Sequence, residues 1–440
     1  MKAHRHILPH TLAALAALAL EARADIIVPG ANGSDGVLNI TENTVIDLSL
    51  APTGVWNTNT AASSPNFGRG TYDPAKWAVV FKYSSVSIRS NATVTFKNHP
   101  SRAPVVWLVS GNVVIDAGCV LSLDGQSGNS LQLLAEPGPG GFRGSGSPLG
   151  PGPVTSASGF GPGGGPGSRG DGESGFAGHG GTSDYWPWDG RHAPYAYNGI
   201  YGNPSLLPLI GGSGGGSNRH GNQGGGAGGG AILIAAQRTL NVSGVVQANG
   251  GIGGGPWDSN HMSGGGSGGG VRLIANDIVG GGRIVAVGGA YWYTPGPGRI
   301  RLERVSTDGG LVFLPASPSV VPLQSGDTAM LWVPDSGPSV RVISIGGKST
   351  PTDPRAAFGA TGADVSLAQT TSVKVIVETT NVENSATVRV RMTPRAQGHL
   401  IEREATASEI LNESPKVIRW TVDMPVNGGY AAIQARVIRP

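Results

Sequence analysis

Two stretches of this chain carry the same pattern. GGGAGGGAILIAAQRTLNVSGVVQANGG runs from Gly224 to Gly251, and GGGSGGGVRLIANDIVGGGRIVAVGG runs from Gly264 to Gly289. Each is a glycine run, a short apolar run, a second short run and glycine again. Such a unit is too small to bury its own apolar face, so copies must stack to make a core. The repeat therefore predicts an irregular parallel β-helix, or β-solenoid, with glycine-rich loops. Residues 231–235 and 271–275 become neighbouring parallel strands. Leu233, Ala235, Leu273 and Ala275 are expected to point inward, as are Val246, Ala248, Ile284 and Ala286.

The glycine runs admit three structures. They are loops that need φ > 0, a bundle of polyproline-II segments with three residues per turn, or flexible linker. Of 74 glycines, 53 lie between Gly138 and Gly298, so whichever structure holds dominates the middle of the chain.

The flanks are also β in character. From Trp77 to Gly125, pairs such as Val79/Phe81, Val86/Ile88, Val94/Phe96 and Val113/Ile115 mark strands of four to six residues between turns. Beyond about residue 316 glycine thins and longer alternating strands appear, among them SVRVISI, VKVIVETTNV and KVIRWTVDMPVN. These predict a C-terminal immunoglobulin-like β-sandwich. The expected organisation is residues 1–24 as a signal peptide and 25–315 as the solenoid, with a glycine-rich insertion at about 137–230. Residues 316–440 make the sandwich. The fold class is all-β.

The N-terminus has a basic start (Lys2, Arg5), an apolar run from Leu12 to Leu20, and Ala22-Arg23-Ala24 before Asp25. That is the form of a secretory signal peptide whose apolar core is too short to span a bilayer. Export to the cell surface, the extracellular space or the periplasm is the expectation. Without residues 1–24 the formal charge of +3 falls by two to +1, which gives no basis for nucleic-acid binding. No later run reaches the roughly 18 apolar residues of a membrane span. Cys119 stands alone, so neither a disulfide nor a cysteine zinc site is expected. His179, His220 and His261 lack ligand spacing, and no cofactor or metal is implied.

One segment concentrates aromatic residues in a chain that is only 6% aromatic. Tyr185, Trp186, Trp188, Tyr195 and Tyr197 sit among Asp184, Asp189, Arg191 and His192. Rings that stack on sugars beside polar groups that bond hydroxyls are what a saccharide site needs. The same rings also serve to anchor a loop against strands. A glycosidase would need paired carboxylates on adjacent coils. The repeated strands carry almost no acids, with Asp116 and Asp124 at strand ends and Asp277 unmatched in the preceding copy.

Over residues 105–305 the repeated motifs resemble glycine-rich, repeat-bearing exported proteins of environmental bacteria. That resemblance implies a β-solenoid and export, and no activity. The expected function is a noncatalytic surface or matrix protein, structural or adhesive, with a polysaccharide or another surface protein as partner. The alternative is a carbohydrate-binding module or polysaccharide-active enzyme on a β-helix scaffold.

Overall fold

The computed structural model describes residues 24–58, 68–129, 133–146, 156–168, 177, 179, 199–218, 223–255, 262–290, 294–308, 310–355, 363–368, 370–395, 400–426 and 428–438. The protein is nearly all β, with 41% of residues in strands and no α-helix among the described residues.

Three ladders of parallel strands organise the first part. The first holds Ala78–Tyr83, Val105–Val109, Ala231–Ala236 and the leading halves of Gly270–Val279 and Arg299–Asp308. The second holds Val37–Ile40, Ser85–Ile88, Val113–Ile115, Thr239–Val242 and the trailing halves of the same two long strands. The third runs from Thr44–Asp47 through Thr93–Lys97, Val120–Ser122, Val245–Gln247 and Arg283–Val285 to Val312–Leu314. The chain visits the ladders in turn and returns to the first, so each circuit lies beside the previous one. Corner side chains tie circuits together. Asn43, Asn112 and Asn249 each accept a backbone N–H from the following circuit, from Thr93, Thr239 and Val287.

The first ladder is apolar on both faces. Phe81, Trp107, Ile234, Leu273 and Leu302 point into the central core, which the other two ladders share. Val80, Val106, Leu108, Leu233 and Ile274 point outward, under Ile26, Val28, Ala329 and Leu331. The covering segments are joined where Ile27 bridges Thr328. Two-sided burial explains why these strands read as unbroken apolar runs. Each large aliphatic side chain so buried contributes roughly 1.5–3 kcal/mol.

The repeated strands are parallel neighbours, but the repeat offset misplaces them by one residue. Ala231 pairs with Gly270, Leu233 with Arg272 and Ile234 with Leu273. A one-residue shift exchanges the faces of a strand. Ile232 and Ile234 therefore fill the central core, while Leu233 and Ala235 face outward. The expectation that Leu233 and Ala235 point inward is corrected. Leu273, Ala275, Val246, Ala248, Ile284 and Ala286 do lie in the core. The first ladder extends to Ser319–Pro322, which pairs with Arg301–Arg304.

The glycine runs are packed against one another. Ala227 and Gly230 donate their N–H groups to Gln126 and Leu123, and Gly225 and Gly228 donate to Ser145 and Phe142. Gly226 and Gly229 donate to Gly264 and Ser267, and all six bonds are 2.7–3.1 Å. Every third residue thus addresses the same neighbour, which is the period of polyproline II rather than of a β-strand. No glycine from 224 to 230 has a positive φ. The glycines are there for space: a Cβ on Gly226 would collide with the carbonyl of Gly251, and one on Gly228 with that of Gly212. Of the three structures that the glycine runs admit, this spacing matches the polyproline-II bundle.

From Ser339 the strands become antiparallel. Their spatial order is Lys348–Ser349, Ser339–Ile345, Ser372–Thr380, Lys416–Pro425, Ile401–Glu413, Thr387–Pro394 and Ala431–Ile438. The sheet curls at Ile401–Glu413. Its leading half pairs with Thr387–Pro394 and its trailing half with Lys416–Pro425. The curl closes over a core of Val375, Val377, Val390, Met392, Trp420 and Met424. The Trp420 Nε1 donates to Thr379 Oγ1 at 2.9 Å, which satisfies the indole inside that core.

Candidate functional site: a cleft beside the C-terminal sheet

A cavity of about 1060 Å³ lies where the parallel-strand body and the glycine-rich segments meet the C-terminal sheet. One wall carries Trp77, Arg102, Phe142 and Phe160. The other carries Val342, Asp353, Leu367, Tyr430 and Ile433. These residues are drawn from positions between 77 and 433 of the chain.

Backbone strain shapes the first wall. Trp77 and Arg102 have φ of +46° and +54°, a left-handed conformation that bulky residues adopt only when their surroundings hold them there. The restraints are visible. Trp77 Nε1 donates to the Ser101 carbonyl at 3.1 Å. Arg102 makes a two-pronged contact with Glu136, with both bonds at 2.9 Å, and Arg143 Nε donates to the same carboxylate at 2.7 Å.

The two walls are tied by Tyr72. Its ring stacks on His99 at 4.0 Å between centroids, and its hydroxyl donates to Asp353 Oδ1 at 2.6 Å. Burial, then the Asp353 carboxylate, raises the Tyr72 phenol above its usual range, so it is a stable donor. His99 Nδ1 stands 2.8 Å from Ser101 Oγ. Burial and the nearby Arg355 lower the His99 imidazole to about 4, so it is neutral at physiological pH. Ser101, His99 and Asp353 are three residue types of a hydrolytic triad, but the geometry differs. The Ser101 backbone N–H also donates to His99 Nδ1, and the Asp353 oxygen engages Tyr72. Of these contacts, the Tyr72–Asp353 bond is the one that joins the two walls.

A second cavity, about 480 Å³, holds Asp124, Glu136, His99 and Lys97. Asp124 accepts from Gln247 Nε2 at 2.5 Å and from the Asn249 N–H at 2.6 Å. Burial raises its carboxyl above the ordinary value in spite of these bonds. Asp116 lies near Arg89 at 3.8 Å on an open surface, and Asp277 accepts from Ser306 across the next strand.

Of the expected ligand site, Asp184, Tyr185, Trp186, Trp188, Asp189, Arg191, His192, Tyr195 and Tyr197 lie outside the described residues. So do His220 and His261. Tyr201, where that segment re-enters the description, is a buried anchor. Its hydroxyl donates to the Gly211 carbonyl at 2.6 Å and accepts from Ser213 Oγ at 2.9 Å. It stacks on His179, which is fully buried and lowered to about 4, chiefly by that burial. Cys119 is a free, buried side chain.

Reading the sequence did not single out Trp77, Arg102 or Tyr430. A clue of sorts was there: Arg102 ends the proline-flanked NHPSR segment, but nothing local marks its partners. Among the described residues no group of three or more His, Cys, Asp or Glu is placed to hold a metal ion. None of the described helices is long and apolar enough to cross a membrane. Comparison with protein-family models, curated proteins and solved structures found no match to this chain.

Proposed function

We propose that this is an exported, noncatalytic surface or matrix protein, structural and adhesive, that holds an extended ligand segment in the cleft. In this reading residues 37–322 are a parallel β-solenoid and the C-terminal strands an immunoglobulin-like sandwich. The observation that carries it is the division of labour among cavity-lining groups. Asp124, Glu136, Asp353 and Asp364 are all engaged by donors from the protein itself, while Trp77, Phe142, Phe160 and Tyr430 present apolar surface. Acid–base chemistry needs a carboxyl group free to meet the substrate. Binding needs apolar surface, and the cleft supplies it.

Export is supported by the layer that begins beside the expected cleavage point. Asp25 accepts from Arg238 at 3.0 Å, and Ile26 is already buried in the outer apolar layer. The test has two arms. Full-length protein expressed in a bacterium is fractionated and its N-terminus sequenced, with Asp25 expected in the exported fraction. The exported protein is then assayed for retention on cell-surface polymers, with Trp77→Ala and Tyr430→Ala as weakened variants. Turnover of any polysaccharide by the purified protein overturns the noncatalytic reading.

A further inference from the structure

The third ladder opens at one place. Thr93–Lys97 pairs with Thr44–Asp47 from Val94 to its last residue, Lys97 opposite Asp47. On its other side it pairs with Val120–Ser122 only at Thr93–Val120 and Val94–Leu121. One circuit on, the ladder is closed again at the equivalent position, where Ser122 pairs with Gln247. Beyond Val94 and Leu121 the two strands part, and the second cavity, about 480 Å³, lies in the gap. A wedge keeps them apart. Asn98 Nδ2 donates to the Pro137 carbonyl at 2.8 Å, and the Gln126 N–H donates to the Glu136 carbonyl at 2.9 Å. Gly138 lies so close behind the Leu123 carbonyl that a Cβ on it would stand 1.9 Å away. Pro137 and Pro139 fix their own φ, so the wedge is stiff and the gap stands open before any ligand arrives.

The lining selects a class of ligand. Its cations are already paired, Lys97 with Asp47 at 2.8 Å and Arg102 with Glu136 at 2.9 Å, so nothing draws an anion. Glu136 is shared between Arg102 and Arg143, which leaves Asp124 as a single acid, too little for a divalent cation. Phe96, Pro100, Pro137 and Pro139 bring apolar surface that a metal ion cannot use. Against these stand groups that a hydroxyl can meet. The Thr95 hydroxyl and the Gln126 side-chain amide nitrogen make no hydrogen bond among the described residues. Each Asp124 oxygen accepts one bond, from the Asn249 N–H or from Gln247 Nε2, and keeps a lone pair. The volume falls within the roughly 300–1,000 Å³ of small-molecule sites, which combine apolar walls with a few placed polar groups.

We infer that the gap between these parted strands binds one neutral sugar ring, its hydroxyls meeting Thr95, Asp124 and Gln126 and its C–H surface meeting Phe96 and the prolines. A neutral ring with polar edges and an apolar face is the ligand whose chemistry matches both halves of the lining. The site does not depend on what the cleft holds, although Arg102 lines both cavities.

The test uses the full-length protein and the methyl glycosides of glucose, galactose, mannose and N-acetylglucosamine, each titrated by saturation-transfer NMR. At least one should bind with a millimolar Kd or tighter, and at saturation it should slow hydrogen exchange in residues 93–98 and 120–126. Gln126 is exposed, so Gln126→Ala leaves the fold alone and should weaken binding about threefold or more. Thr95→Trp fills the gap, keeps the bonds of Asp124 in place and should abolish binding, with exchange at Val105–Val109 unchanged as the check on folding. Binding of none of the four glycosides overturns the proposal. So does binding that survives both variants unchanged, or protection that falls on the cleft segment Ala431–Ile438 instead. Calcium chloride that protects residues 93–98 and 120–126 where no glycoside does would assign the gap to a cation and overturn the sugar.

Discussion

Arg272 and Glu303 lie on adjacent parallel strands with Arg272 Nε donating to Glu303 Oε1 at 2.8 Å, and both are buried. Arg272 interrupts the outward apolar face of the first ladder directly opposite Leu233. Its Nη2 donates to the Met330 carbonyl at 2.6 Å, so the pair also fastens the covering segment. Glu303 in turn accepts from Arg301 at 3.0 Å.

Removing one partner leaves a buried charge without compensation, which costs about 3–5 kcal/mol, whereas replacing both by apolar groups is often neutral or stabilising. Glu303→Ala should therefore destabilise the protein by about that amount in urea denaturation. The double variant Arg272→Met with Glu303→Leu should recover most of it. A single-variant loss under about 1 kcal/mol would show that the pair is not desolvated in solution.

The glycine bundle makes a contrasting prediction about one methyl group. Gly226→Ala puts a Cβ against the Gly251 carbonyl, while Gly281 has open space around it. Gly226→Ala should cost about 1–3 kcal/mol or more, because neighbouring backbone cannot yield as a side chain can. Gly281→Ala should stay within about 0.5 kcal/mol. Equal effects at the two sites in thermal denaturation would refute close packing of the runs.

Acid should weaken the protein through its buried histidines. His179 is held at about 4 when folded, against about 6.5 when unfolded. Between those values the unfolded chain binds the extra proton, so stability rises with pH across the window. It is full above about pH 6.5, falls as pH drops, and the loss is complete below about pH 4, near 3 kcal/mol for His179. His99 adds in the same direction. The pH dependence of the denaturation midpoint should be shallower in His179→Phe than in the parent over this range.

These sites differ in how far the sequence discloses them. Strands such as AVVFKY and VVWLV are evident from their apolar runs, and the repeat identifies Ala231–Ala236 and Gly270–Val279 as neighbours. Which face points inward is not evident, because a strand buried on both sides has no alternation to read. The glycine runs are conspicuous, yet their structure depends on carbonyls contributed by segments up to about 100 residues away in the chain. The cleft is less legible still. Trp77 and Tyr430 come to line one cavity only after the chain has completed its circuits and turned antiparallel, and nothing in the local pattern around either links them.

The final prediction concerns the tie between the cleft walls. Tyr72 is buried in the parallel-strand body, and its hydroxyl reaches Asp353, near the start of the C-terminal sheet. Tyr72→Phe keeps the ring and its stacking on His99 but removes the 2.6 Å bond. A hydrogen bond to a charged group is worth about 1.5–3 kcal/mol, and Asp353 retains only the longer 3.4 Å contact with Arg355. The loss falls on the junction rather than on either core. Calorimetry should therefore show the C-terminal transition moving to lower temperature and separating from that of the parallel-strand body. Protease cleavage near Asp353 should quicken in step. Asp353→Asn, which still accepts the phenol but carries no charge, should give a smaller shift in the same direction. A single transition lowered as a whole by Tyr72→Phe would mean that the tie stabilises the core of the body instead.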